Sequence, residues 1–363
     1  MMKAADGKVG TREFFSIVVF SIAIKATDTA PSILFDTGGN AAWMMPIFSL
    51  FVIAGPFSLL LWLMKKHGKG LIELLSQLFG KYIGGFFCFL LFLIAFGGTS
   101  TNSRSYIDIV NVMFYPKAPV LLLLFLLLVI SSYLIAKRGL EAIGRAAWFI
   151  VPTIYIILIF LILSVLQEVE WLRIFPIAGS GFQEVIKGSI SQSSIYGNMI
   201  LLTALFPFVR SYESFRRASF LGLATCCVTL AGFLAIYVMV FDYPEIVNIA
   251  YPYQQLTRMA SIGEIITHIE ALYLGMWVIS ANIHFALSLY ISAYFFSRAL
   301  QLEKFEPLLL PFAGLALLLG MQEDNIFHVT KYREILIVYS SWLLISLPIC
   351  LWMADWCRGR LKK

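Results

Sequence analysis

The sequence predicts an all-α integral membrane protein: ten transmembrane helices in two inverted five-helix repeats, with helices one and six broken. Three observations carry this expectation. The 363-residue chain is 60% hydrophobic and only 13% charged, about half the charged share of a soluble domain. Its apolar residues gather in long charge-free tracts, and at roughly 20 residues per span this length holds about ten helices and no sizeable soluble domain. The first and sixth tracts are interrupted by polar residues. A mean hydropathy of +0.85 excludes a disordered, collagen-like or ordinary soluble chain.

The spans are expected at 14–35, 43–64, 82–103, 118–136, 146–167, 188–209, 218–241, 268–297, 307–322 and 335–354, forming one polytopic domain over 1–363. No cleavable signal peptide is expected, because Lys3, Asp6 and Lys8 precede the first tract and no short apolar core with a small-residue cleavage site follows.

Span one reads Ile22-Ala23-Ile24-Lys25-Ala26-Thr27-Asp28-Thr29-Ala30-Pro31-Ser32. An ionisable residue at mid-bilayer costs about 2.5–3.5 kcal/mol on insertion scales. Lys25 and Asp28 are spaced i, i+3 and can pair on one helix face. Pro31 lacks a backbone donor, so the helix is expected to break just before it, with Thr27 and Thr29 satisfying some of the freed groups. A broken helix with ionisable residues at the break points to a transporter-type binding site. The bland alternative is a neutralised ion pair that only fixes packing.

Ahead of span three, Leu71, Leu74, Leu75 and Leu78 with Glu73 and Gln77 have the spacing of a short interfacial amphipathic helix over 70–80. Span three itself ends in the small polar run Gly97-Gly98-Thr99-Ser100-Thr101-Asn102-Ser103, which lines a site or simply lets helices approach. Span six opens with a polar half, Gly188 to Asn198, containing Ser194, Tyr196 and Gly197. Its glycines and serines ease unwinding, although small polar residues also serve plain close packing. Spans one and six hold equivalent positions in a five-plus-five repeat, so interruption of both fits a midplane site. In span eight Ser280, His284 and Ser288 recur at i, i+4, i+8 with Trp277 adjoining, a polar face that is either ligand contact or hydrogen-bonded core. Arg104 and Glu270 are read as scaffold.

Basic residues set the orientation. With the N-terminus inside, nineteen of the 27 Lys+Arg fall in inner segments and seven, including Arg333, in outer ones, with Lys25 in the membrane. Both termini are therefore expected in the cytoplasm. The net charge of +6 reflects this orientation, and no nucleic-acid partner is expected. Five cysteines without metal-ligand spacing argue against a disulfide framework or a metal site. No nucleotide, zinc-protease or nucleophile–base motif is present, so neither a cofactor nor an enzyme activity is expected.

Several short runs give the chain a family likeness. They are Ala30-Pro31-Ser32-Ile33-Leu34, Asn40-Ala41-Ala42-Trp43, Phe175-Pro176-Ile177, Phe206-Pro207-Phe208-Val209 and Arg216-Arg217-Ala218-Ser219. Ile262-Gly263-Glu264 leads through Ile269-Glu270-Ala271-Leu272 to Trp277-Val278-Ile279. In this order and spacing the chain resembles the B subunit of bacterial endospore germinant receptors, the spore-permease branch of the amino acid–polyamine–organocation (APC) superfamily. The resemblance implies a LeuT/APC-like permease fold, a complex with an A subunit and a lipoprotein C subunit, and a place in the spore inner membrane. It further implies sensing of a small nutrient, often an amino acid, that triggers germination. Relatives often have a glycine-containing run where this chain has Lys25-Ala26-Thr27-Asp28, and many have an acid where it has Asn198. Charge at the site is thereby moved from span six to span one.

The expected ligand site draws on Lys25, Ala26, Thr27, Asp28 and Thr29 of span one and Thr99 of span three. Ser194, Tyr196, Gly197 and Asn198 of span six and Trp277, Ser280, His284 and Ser288 of span eight complete it. Backbone donors at the first break would take a carboxylate, Asp28 or unwound carbonyls an amine, and Lys25 would hold Asp28 ionised or touch the ligand. The alternatives are an amino acid/proton secondary transporter of the same superfamily, with Lys25–Asp28 or His284 as proton relay, and a ligand-opened conduit.

Overall fold

The computed structural model describes residues 8–179, 181–260, 270–322 and 326–361, and every regular element among them is helical. The expected 262–269 run, the first two residues of expected span eight, and Lys3, Asp6, Lys362 and Lys363 lie outside the described residues.

The first expected span is two helices. α1 (Thr11–Ile22) tightens into a 3₁₀ turn at Ala23–Ala26, bends over residues 27–29, and resumes as α2 (Ala30–Gly38), with Pro31 in its first turn where a missing N–H costs nothing. α3 (Met45–His67) and α4 (Leu71–Met113) follow. Within α4, Gly80 has φ 84°, a backbone that a side chain rarely adopts, and it separates an amphipathic Leu71–Phe79 arm from the long span after it. The arm's Leu71, Leu74, Leu75 and Leu78 are buried. α5 (Val120–Lys137) and α6 (Leu140–Ser164) complete the first half.

The second half repeats the pattern. α7 (Phe182–Ser191) stops at Gln192, a 3₁₀ turn crosses Ser193–Ile195, and α8 (Asn198–Leu202) runs on in 3₁₀ form to Phe208. α9 (Tyr212–Phe241) starts at an N-cap in which Ser211 accepts the Ser214 N–H. The short α10 (Pro252–Met259) folds inward from the connection after α9. α11 (Glu270–Ala299), α12 (Leu309–Gln322) and α13 (Ile326–Leu361) end the chain.

Among the described residues, seven helices are long and apolar enough to cross a membrane. The other three expected spans are the two broken ones and α12, which is 14 residues long, so length alone does not count them. Two boundaries differ from expectation in a way that matters. Span three continues to Met113, so Arg104 lies inside a helix, paired with Asp108 at 3.0 Å. Span ten begins at Ile326, so Arg333 is buried within it instead of lying in an outer segment.

α1 packs against α9 and α6, α11 runs along α4, and α13 lies against α4 and α3. The α1–α9 approach depends on Gly222, where an added Cβ would sit 2.6 Å from Val18 Cγ1. The ends of the two broken helices that lie away from the breaks are also joined. Val9 N–H donates to Phe208 O at 2.8 Å and Arg210 N–H to Val9 O at 3.1 Å.

Candidate functional site

A helix broken inside a membrane frees backbone groups that water cannot satisfy, so each needs a partner from the protein. Around the first break those partners come from distant elements. Tyr237 of α9 donates to Ala26 O at 2.8 Å, and Gln254 of α10 donates to Thr27 O at 3.1 Å. Asn198 donates to Ser21 O at 2.9 Å. His284 meets Phe20 O through Nδ1 at 3.1 Å; a carbonyl only accepts, so Nδ1 carries a proton, and in the neutral ring Nε2 is then an acceptor. Within the break, Thr27 Oγ1 donates to Ile24 O at 2.8 Å and accepts from Trp277 Nε1 at 3.1 Å.

The two charges at the break do not pair with one another. Asp28, 1% exposed, accepts from the Ala30 N–H at 2.6 Å and from Arg333 Nη2 at 2.6 Å. Arg333 also donates to Thr29 Oγ1. Lys25 turns the other way, toward the second break, and donates to Ile195 O at 2.8 Å with Ser194 O at 3.5 Å. This corrects the expected Lys25–Asp28 pair. The physical reason is that each charge finds a better-placed partner in low dielectric: a guanidinium and a helix N-terminus for the carboxylate, unwound carbonyls for the ammonium.

The last helix holds the second break as well. Ser194 N–H donates to Ser341 Oγ at 2.8 Å, and Ser194 Oγ donates to Ile337 O at 2.8 Å. The sequence reading expected the last span, at 335–354, and counted Arg333 in an outer segment, but it gave neither a part in the site.

A cavity of about 100 Å³ opens between the two breaks, α4, α11 and α13. Of the expected residues, Lys25, Thr99, Ser194, Asn198, His284 and Ser288 line it. Arg333 lines it too, together with apolar Leu336 and Ile337 of α13. The remaining expected residues do not. Ala26, Asp28, Thr29, Tyr196 and Gly197 are buried in the walls of the two breaks. Thr27, Trp277 and Ser280 line a separate, mostly apolar cavity of about 50 Å³ beside Tyr155 and Thr229. The polar face of span eight is thus divided, its Ser280 end belonging to one cavity and its His284–Ser288 end to the other.

The arrangement is a small chamber with a largely apolar lining, in which Lys25, Arg333 and a few neutral polar groups are set. An apolar cavity of about 150 Å³ admits benzene, so a chamber of this size takes a ligand of only a few heavy atoms.

A family model described as spore germination protein matches residues 8–327. Spore germination protein GerQB of Bacillus cereus is 23% identical over 259 residues, 69% of each chain. Spore germination protein B2 of Bacillus subtilis (strain 168) is 21% identical over 340 residues, 92% of each chain. Among solved structures, a Na+-coupled sialic acid symporter in its substrate-bound outward-open state is similar, with a TM-score of 0.53 at 11% identity. The match covers 97% of this chain and 75% of that one, a likeness of fold alone.

Proposed function

The chain belongs to the spore germination protein family, and from that premise we propose that it is the membrane B subunit of a germinant receptor, binding a small nutrient between its two broken helices. It is a multi-pass, permease-like membrane protein. Its seat would be the spore inner membrane, with both termini in the cytoplasm and with A and C subunits as partners. Ligand binding would shift a conformational equilibrium that those partners read, which requires differential affinity between two states and no completed transport.

One observation carries the reading: both interruptions open onto the same chamber, and polar groups from each, Lys25, Ser194 and Asn198, line it. α13 touches both breaks, through Arg333 and through Ser341, so closing the chamber on a ligand would move one helix against two half-helices. The expected amino acid divides into a carboxylate and an ammonium. The cations that line the chamber, Lys25 and Arg333, support the first.

The test exchanges this chain alone for the resident B subunit in spores and screens amino acids, sugars, nucleosides and small carboxylates. The nutrient range should follow the exchanged chain, and Asn198→Leu, which removes a polar lining group and the donor to Ser21 O, should raise the concentration needed. An unchanged range from a normally accumulated subunit overturns the proposal. Uptake of a labelled nutrient into proteoliposomes driven by a pH gradient would favour a proton-coupled transporter instead.

A further inference from the structure

A zwitterionic amino acid bound at a broken helix needs two seats: N–H groups at a helix N-terminus for its carboxylate, and exposed carbonyls for its ammonium. In this chain both kinds of seat are filled from within. The carboxylate of Asp28 occupies the N-terminus of α2 through the Ala30 N–H. The ammonium of Lys25 occupies the carbonyls of the second break, Ile195 O at 2.8 Å and Ser194 O at 3.5 Å. The protein carries its own tethered acid and amine where a free amino acid's two charges would go.

What remains in the chamber is unbalanced. Lys25 and Arg333 line it, and no Asp or Glu among the described residues does. Arg333 is matched by Asp28, whereas no carboxylate among the described residues lies within 4.0 Å of Lys25. Lys25 has three N–H donors and makes one short hydrogen bond, so at least one donor faces the chamber. His284 Nε2 and the Ser288 and Thr99 hydroxyls add neutral polar partners.

We propose that the chamber selects a small carboxylate that lacks an ammonium group, with Lys25 as its counter-ion and the residue that sets this specificity. The inference rests on the ligand-chamber reading above and sharpens it. An incoming ammonium would meet the Lys25 charge and find its carbonyls already engaged. A carboxylate would instead neutralise a cation held in a low-dielectric interior, where a charge-assisted bond is strong. A hydroxyl in place of the amine meets no repulsion and has His284 Nε2 to donate to.

The experiment compares isosteric pairs on the purified full chain in nanodiscs, by thermal shift and by titration calorimetry. The pairs are glycolate with glycine, L-lactate with L-alanine, and 2-hydroxyisovalerate with L-valine, with glycerol as a neutral probe. In the native chain the hydroxy acid of at least one pair should bind about tenfold or more tightly than its amino acid. Lys25→Met should abolish that preference, and Lys25→Arg should retain it. Amino acids that bind as tightly as their hydroxy acids, with binding lost in Asn198→Leu, overturn the selectivity while leaving the chamber as the ligand site. Glycerol binding more tightly than any carboxylate does the same. If none of the probes binds, the selectivity and the chamber reading fall together. A preference that persists in a folded Lys25→Met chain removes Lys25 from the role.

Discussion

Asp28 and Arg333 stand 305 residues apart in the chain and meet at 2.6 Å, so the first broken helix is closed by the last helix of the protein. Both side chains are nearly inaccessible, 1% and 4% exposed. A pair this deep contributes little net stability when intact, because desolvation offsets the attraction, but losing one partner leaves a bare charge.

Arg333→Ala should therefore lower the stability of the purified chain by about 3–5 kcal/mol. Asp28→Asn should do similar harm, and both should reduce the amount of protein in the membrane. The double variant Asp28→Asn/Arg333→Met removes both charges and should recover much of the loss. Thermal unfolding in detergent, alongside membrane abundance, checks all three. Asp28 is saturated within a wall, so its loss acts on stability before it acts on nutrient response. A double variant no better than the single ones would refute the account.

Tyr237→Phe tests how the break is kept satisfied. Its hydroxyl is the donor to Ala26 O, in a fully buried position. An orphaned buried carbonyl costs about 1–3 kcal/mol, so the variant should melt at lower temperature without any change in shape or charge at the chamber. Ligand affinity should fall less than stability does. An unchanged melting temperature would mean that Ala26 O has another partner.

The two breaks were legible because they are local. Lys25, Asp28 and Pro31 lie within seven residues of each other, and the polar run before Asn198 is equally compact. The partners that hold the breaks open were not legible, because they come from α9, α10 and α13. Arg333 was hidden by its place at the edge of an apolar tract, where charge counting assigns it to a loop. A signal was available: an intramembrane Asp needs a cation, and if Lys25 is engaged elsewhere another must come from a span end. Tyr196 misled in a different way. It follows Ser194 and Ile195, which line the chamber, but its own side chain is fully buried in the wall.

His284→Ala removes the donor to Phe20 O and one wall of the chamber. It should shift the nutrient dose response to higher concentration, with a stability loss of about 1–3 kcal/mol from the stranded carbonyl. His284→Asn keeps a side-chain donor at the position and should recover part of the stability while leaving the dose response shifted. Germination curves and melting curves on the same variants separate the two effects. A dose response identical to the parent's in both variants removes His284 from ligand contact.

Two glycines of α9 make opposite predictions from one substitution. At Gly222 an added Cβ would lie 2.6 Å from Val18 Cγ1 and 2.8 Å from Val18 Cβ, and a branched residue on the facing helix has little freedom to withdraw. Gly222→Ala should therefore destabilise the chain by about 1–3 kcal/mol through overpacking. At Gly232 no atom of the described residues beyond its own stretch of helix lies within 4 Å of the added carbon, so Gly232→Ala should gain up to about 1 kcal/mol of helix propensity. The difference reaches the chamber because Val18 precedes Phe20, Ser21 and Lys25 on the same strand of chain. Pushing α1 away from α9 would move the Lys25 ammonium off Ile195 O, so Gly222→Ala should also weaken nutrient response, and Gly232→Ala should not. Melting temperatures and dose responses of the two variants decide it. Equal effects of both would mean that the α1–α9 contact does not position the first break.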